Sequence, residues 1–359
     1  FAIAVIIWMF YNKNAESRQA KQIKSIYEAK KDEDPKNPVK MKSINPNDKS
    51  SQYKLLDYYI SSSYNSCCSG DFLNDYVSMD ILKTVIAQGV RVIDLEIYLI
   101  DNNPVVAVSP FKSGIVKGSY NSLPLLGTNG VLDIINSHAF SLRTSPNYKD
   151  PLFINFRIKC DKIDYNTMHS NIMKIFREKL LGPDYSYGGR PKYKIPTTPL
   201  NKLMGKVIIM CDQKSLAYSN TKFGELVNLS AASNSIDFRS VRHSDLQSQR
   251  ENDYEGLEVE NKNMITMIIP DLTNSSSNID FNAFKRHGVQ MIAMNYQNMD
   301  ASMDSAYNFF NKEQGQAFVL KPKRLRNIEI PIPKGVPLAP ELKNKIKVRE
   351  TQVGIDIVT

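Results

Sequence analysis

Residues 90–100 read Val-Arg-Val-Ile-Asp-Leu-Glu-Ile-Tyr-Leu-Ile. The stretch alternates with the period of a strand. Ile93, Leu95 and Ile97 share one face; Val92, Asp94, Glu96 and Tyr98 share the other. Two carboxylates on one face of a mostly apolar strand belong in a polar centre, not in a layer packed against helices. Upstream, Leu73 to Gln88 has apolar residues at 73, 76, 77, 81, 85 and 86, which predicts a helix closed by Gly89. Downstream, Pro151 to Cys160 reads as a short strand with Arg157 in its middle, and Asn166 to Leu181 as an amphipathic helix. Gly205 to Met210 and Gly288 to Asn295 read as buried strands. Strands separated by helices predict a parallel sheet or an α/β barrel. No internal repeat at solenoid periods is evident.

The composition agrees with one large folded unit or two ordinary ones. The chain has 359 residues, of which 42% are hydrophobic, enough for a sizeable core. Four cysteines exclude a disulfide-stapled small fold, and without a Cys-x-x-Cys pair a zinc cluster has no spacing to stand on. Lys and Arg number 46 against 37 Asp and Glu, a net charge of +9. Between Lys312 and Glu350 there are 10 basic and 4 acidic residues, so most of the surplus lies late in the chain. No zinc finger, RNA-binding sheet motif or Walker loop accompanies it, which argues against sequence-specific nucleic-acid binding. Lys321, Lys323, Arg324 and Arg326 instead read as a patch for an anionic partner, lipid included.

The ends differ from the middle. Residues 1–11 are apolar, too few to span a bilayer, which takes about 20. They read as the remnant of a membrane anchor, with Trp8 and Tyr11 at the interface and Lys13, Arg18, Lys21 and Lys24 on the cytoplasmic side; a buried hydrophobic arm is the other reading. Residues 12–50 read as a short helix and a polar linker. Residues 327–359, with four prolines, read as an extended basic arm with a short helix from Pro340 to Lys347.

Several stretches together resemble the catalytic barrel of eukaryotic phosphoinositide-specific phospholipase C, a TIM-type (β/α)8 barrel built from X and Y halves. Ile60-Ser-Ser-Ser-Tyr-Asn-Ser66 is similar to the family's Ile-Ser-Ser-Ser-His-Asn-Thr. Asp94-Leu95-Glu96 stands where the family has Glu-Leu-Asp, followed by Pro104-Val-Val106 and His138-Ala-Phe140. Ile154 to Cys160 takes the place of hydrophobic-Ser-Leu-Glu-Asn-His-Cys. In the second half, Phe238 to Ser244, Gly288 to Gln297 and Phe318-Val-Leu-Lys-Pro322 resemble Y-half motifs. The resemblance places an X-like half at 51–213, a short linker at 214–224 and a Y-like half at 225–326.

The family's chemistry is a phosphodiester cleavage that uses two histidines and a calcium ion held by an Asn and three acids. By the resemblance, the histidine positions fall on Tyr64 and Val108. The calcium positions fall on Asn65, Asp94, Glu96 and Arg157, and the substrate positions on Met210, Asp212, Met267 and Ile279. A phenol with a pKa of about 10 is a poor proton shuttle at neutral pH, and Val108 cannot carry a proton. A guanidinium about 4 Å from a divalent cation is repelled by several kcal/mol at an effective dielectric near 20. The four histidines, His138, His169, His243 and His287, fall elsewhere and are expected to be structural. Asp94 and Glu96 therefore admit two readings, a surviving metal site or a buried ion-pair cluster with Arg157, and the second is preferred because the cation comes with the protein.

The expectation is a catalytically inactive phospholipase C-like barrel without a cofactor. It would be tethered to a membrane by its first residues and act as a structural or interaction module that meets neighbouring proteins through its two arms. A membrane-adjacent assembly, such as a viral shell over an internal membrane, is one such setting. The alternatives are a calcium-dependent phosphodiesterase with a rearranged site and an inert anionic-lipid-binding module.

Overall fold

The computed structural model describes residues 14–328 except 37, 112–116, 161, 188–190, 213–216, 232–234 and 251–252, together with 347–351 and 354–358. Eight parallel strands form the barrel: β1 (Tyr58–Ser63), β2 (Val92–Ile100), β5 (Leu152–Ile158), β6 (Val207–Cys211), β7 (Val227–Ser230), β8 (Phe238–Arg242), β9 (Ile265–Ile269) and β10 (Met291–Met294). Their spatial order is β7-β6-β5-β2-β1-β10-β9-β8. Among the described residues no ladder joins β7 to β8, so the barrel is open at that seam. Two short strands, β3 (Asn103–Val106) and β4 (Leu123–Pro124), extend β2 antiparallel, and β11 (Phe318–Leu320) pairs antiparallel with the start of β1. The expected α/β barrel is thus the fold.

Register places the polar face of β2. Asp94 is level with Asn155 of β5, and Glu96 is level with Arg157. All four side chains are buried. Ile93, Leu95, Ile154 and Phe156 belong to the apolar core cluster, as a strand buried on both faces requires.

Helices flank the strands, with ends that differ from the sequence reading. The first of the two expected helices spans Met79–Ala87, not 73–88. Asn74 adopts a positive φ of 59°, and the Ser78 hydroxyl caps the helix by accepting from Asp80 N at 3.2 Å. Gly89 follows the helix with φ 82°, where a Cβ would also strike Met41. The second spans Tyr165–Phe176, capped by Asp164. It stops where Arg177 turns to φ 44°, and a 3₁₀ turn, Arg177–Lys179, follows.

Residues 14–50 are not a free linker. Ala15–Asp32 is an 18-residue helix laid against the barrel. Its buried residues, Ala20, Ile23 and Tyr27, join the main core, as do Met41 and Ile44 further along. Tyr27 stacks on Tyr296 at 6.0 Å between ring centroids, and its hydroxyl donates to the Tyr296 carbonyl at 2.7 Å. Lys30 pairs with Asp304 at 2.7 Å, and Ile44 N donates to Asp150 Oδ1 at 2.8 Å. The polar composition hid this, because a helix on a surface needs only a narrow apolar stripe. The expected 214–224 linker is likewise built in: Tyr218 and Phe223 are buried, and the helix Lys222–Leu226 leads into β7.

Ile328–Thr359 is a separate unit. In it, β12 (Lys347–Thr351) and β13 (Gly354–Val358) form an antiparallel hairpin, where a simple extended arm was expected. The helix expected over 340–347 lies outside the described residues except for Lys347, which opens β12. The apolar stretch 1–11 also lies outside them. Among the described residues no helix is long and apolar enough to cross a membrane.

Candidate active site and its ion cluster

The C-terminal ends of barrel strands are where such folds place their chemistry. At that end, Tyr64 and Asn65 follow β1, and the β2 and β5 side chains converge beside them. Asn65 sits at φ 42°, and its backbone N–H donates to Asp94 Oδ2 at 3.0 Å. Asp94 Oδ1 also accepts from Asn155 Nδ2 at 2.8 Å. Arg157 completes the set: Nε donates to Oδ1 and Oδ2 at 3.0 and 3.1 Å, and Nη2 donates to Oδ2 at 2.9 Å. Nη2 also donates to the Asn65 side-chain oxygen. The guanidinium lies 4.5 Å from the centroid of the Tyr64 ring, in cation–π geometry.

Glu96 is held more loosely. Its Oε2 stands 3.7 Å from Arg157 Nη1, its Oε1 is 3.5 Å from Lys159 Nζ, and the Tyr98 hydroxyl donates to Oε1 at 3.1 Å. Two carboxylates therefore face two cations. Burial works against the charge of Arg157, but Asp94, Tyr64 and Glu96 outweigh it and hold its pKa well above the usual value. Burial raises the pKa of the Tyr64 phenol despite the Arg157 charge. Burial lowers the Lys159 amine, as does the neighbouring Arg157, while Glu96 pulls it back. Burial also raises the half-buried Asp212, against the pull of Arg157.

Of the remaining sequence-derived positions, Val108, Met210, Met267 and Ile279 are buried apolar side chains. Among the described residues no group of three or more His, Cys, Asp or Glu side chains is placed to hold a metal ion. The histidines lie elsewhere: His243 faces Asp271 at 3.4 Å and His287 faces Glu258 at 3.2 Å. Asn155 and Lys159 were not singled out in the sequence, and Tyr98 was placed only on the face of β2 that carries Asp94 and Glu96. Only their alternation with Asp94, Glu96 and Arg157 on neighbouring strands signals them.

Family models match most of the chain. The phosphatidylinositol-specific phospholipase C X domain matches residues 51–213, and the Y domain of the same enzyme matches residues 212–324. The chain belongs to the phosphatidylinositol-specific phospholipase C family. The X and Y matches meet, so the stretch at 214–224 falls within the Y match.

Among solved structures, PLC21 of L. pealei aligns with a TM-score of 0.63 at 19% identity, over 77% of this chain and 38% of that one. PLC21 of S. officinalis aligns with a TM-score of 0.64 at 19% identity, over 78% of this chain and 38% of that one. At that identity the shared property is the fold, and this chain spans well under half the length of either relative. No curated protein matches the chain.

The cationic run at 321–326 requires a correction. Lys321 is fully buried, its Nζ donating to the Asn261 carbonyl at 3.2 Å. Arg324 is spent on Glu258, with two contacts of 2.8 and 2.9 Å. Lys323 is exposed and Arg326 partly so. The run is therefore not one continuous exposed patch, because Lys321 is buried and Arg324 is ion-paired.

Proposed function

We propose that this protein is a phospholipase C-like pseudoenzyme, a barrel that has kept the family fold and serves as a structural or interaction module. The observation that carries the reading is the Arg157 guanidinium on Asp94 and Asn65. Those two side chains stand at positions that, by the family resemblance, would ligate calcium. Their oxygens already accept from a fixed cation, so the donor set does not fit a divalent ion, and no step is assigned to one. Tyr64, at the first histidine position, is buried with a raised pKa. A phenol held protonated donates a hydrogen bond and does not shuttle a proton near pH 7.

The tether and the setting belong to the same proposal. The apolar run at 1–11, with Lys13, Arg18, Lys21 and Lys24 after it, supports attachment to a membrane. A membrane-adjacent assembly, a viral shell included, is a setting in which an inert barrel with two arms serves as a scaffold.

The deciding experiment mixes the full chain with phosphatidylcholine vesicles carrying phosphatidylinositol 4,5-bisphosphate, with calcium or with a chelator, and follows release of inositol phosphate. Release at the rate of the protein-free blank is expected. Calcium-dependent release that disappears in Asp94→Asn establishes an active enzyme with a rearranged site and overturns the proposal.

A further inference from the structure

At the pole of the barrel away from the ion cluster lies a cleft of about 690 Å³. Tyr59, at the start of β1, and Leu320 of β11 line it. Tyr64 is five residues further along the chain from Tyr59, about 17 Å at strand rise. The floor is apolar, formed by Phe309, Val319 and Leu325, and the rim carries Lys285, Arg286, Arg324 and Arg326. Among the described residues, none lining the cleft carries a carboxylate.

The charges around the cleft do not balance. Arg324 is taken by Glu258, and Asp57 faces the buried Lys321. Lys285, Arg286 and Arg326 remain without an ion pair among the described residues. The Lys285 amine is held 4.3 Å from the Phe309 ring centroid and 5.2 Å from that of Phe281. Burial lowers its pKa, against the pull of Glu313, which forms no ion pair with it. The Arg326 guanidinium lies 4.9 Å from the Tyr53 ring centroid, and its Nε donates to the Lys321 carbonyl. Arg286 is exposed, and its carbonyl is pinned by Arg324 Nη2 at 3.0 Å. Setting Glu313 against the three leaves a surplus of two positive charges beside an apolar floor. Like charges held together repel, and an anion in the cleft relieves that repulsion.

We propose that this cleft binds a phosphate-bearing anion, with Arg286 and Arg326 as forked donors and Lys285 as a point charge. A free phosphate ester and a phospholipid headgroup present the same chemistry. The site stands apart from the ion cluster, so it holds whether or not the barrel is catalytically inert.

The test uses the full chain at low ionic strength, with two probes: pyrophosphate by titration calorimetry, and phosphatidylcholine vesicles containing phosphatidic acid by sedimentation. The double variant Arg286→Gln/Arg326→Gln should weaken binding at least about tenfold. Lys174→Gln/Lys222→Gln, two exposed lysines outside the cleft, should leave it within about twofold. Loss of pyrophosphate binding in the double variant supports the site for a free ester; loss of vesicle binding alone supports it for a headgroup. Binding of neither probe, or equal losses in both double variants, overturns the site. Should Arg286→Gln/Arg326→Gln fail to fold, the exposed Arg286→Glu alone gives the same reading.

Discussion

Arg157 and Asp94 are joined by three hydrogen bonds, with Nε reaching both carboxylate oxygens and Nη2 reaching one, all within 3.1 Å. Both residues are buried on adjacent strands, 63 positions apart in the chain. The guanidinium thereby neutralises in place a charge that the interior could not otherwise hold.

Removing the cation leaves Asp94 and Glu96 buried with only Lys159 facing them. Arg157→Met should cost about 3–5 kcal/mol in urea unfolding at pH 7. Adding Asp94→Asn should recover more than about 1 kcal/mol, because it deletes one of the stranded charges. Additive losses in the double variant would contradict the assigned ion pair.

Replacing the cation by an acid should create a metal site. Arg157→Glu places a third carboxylate beside Asn65, Asp94 and Glu96, and calcium at about 100 times its dissociation constant should add about 2.7 kcal/mol to the variant's stability. The parent protein should show no calcium-dependent shift in melting temperature. A variant equally blind to calcium would mean that the four positions do not converge on one ion.

Lys321 supplies a pH signature. Burial pushes its amine down to about 7, against the pull of Asp57. Its folded pKa lies below the unfolded value near 10.4, so between these limits the unfolded chain binds more protons. Stability contributed by this group therefore rises with pH from about 7 toward 10 and falls as the pH drops through that window. The slope can reach about 1.4 kcal/mol per pH unit. Lys321→Met should flatten urea-derived stability between pH 7 and 9.5; an unchanged slope would assign the dependence to another group.

Tyr27 anchors the N-terminal helix through its ring and its bond to the Tyr296 carbonyl. Tyr27→Phe should cost about 1 kcal/mol, and Tyr27→Ala about 3–5 kcal/mol. Limited proteolysis should cut residues 15–32 faster in the Ala variant. Equal cleavage rates would show that the helix is held by its other contacts.

Much of the barrel was legible in the sequence. The alternation over 92–98 and the order of the motifs from Ile60 to Pro322 place strands and polar faces correctly, since period and motif order are local. The candidate site was legible only in Tyr64, Asn65, Asp94, Glu96 and Arg157. Asn155 and Lys159 escaped because an Asn or a Lys in a strand carries no signal until register sets it beside Asp94 or Glu96. The N-terminal helix was expected, but its packing on the barrel escaped because its composition is polar and its anchoring residue meets a partner 269 positions away.

The sequence alone determined the fold class and the family, because side-chain alternation and motif spacing are properties of neighbouring residues. By the family resemblance it also led to the expectation that Tyr64, Val108 and Arg157 stand at positions where the family has other chemistry. Only the tertiary structure decided which way the charges point. It turned Arg157 onto Asp94, buried Lys321 under Asn261 and left Arg286 and Arg326 at an open cleft. These four basic residues look alike in a sequence. Burial, pairing and exposure separate them, and each depends on partners that folding brings from far along the chain.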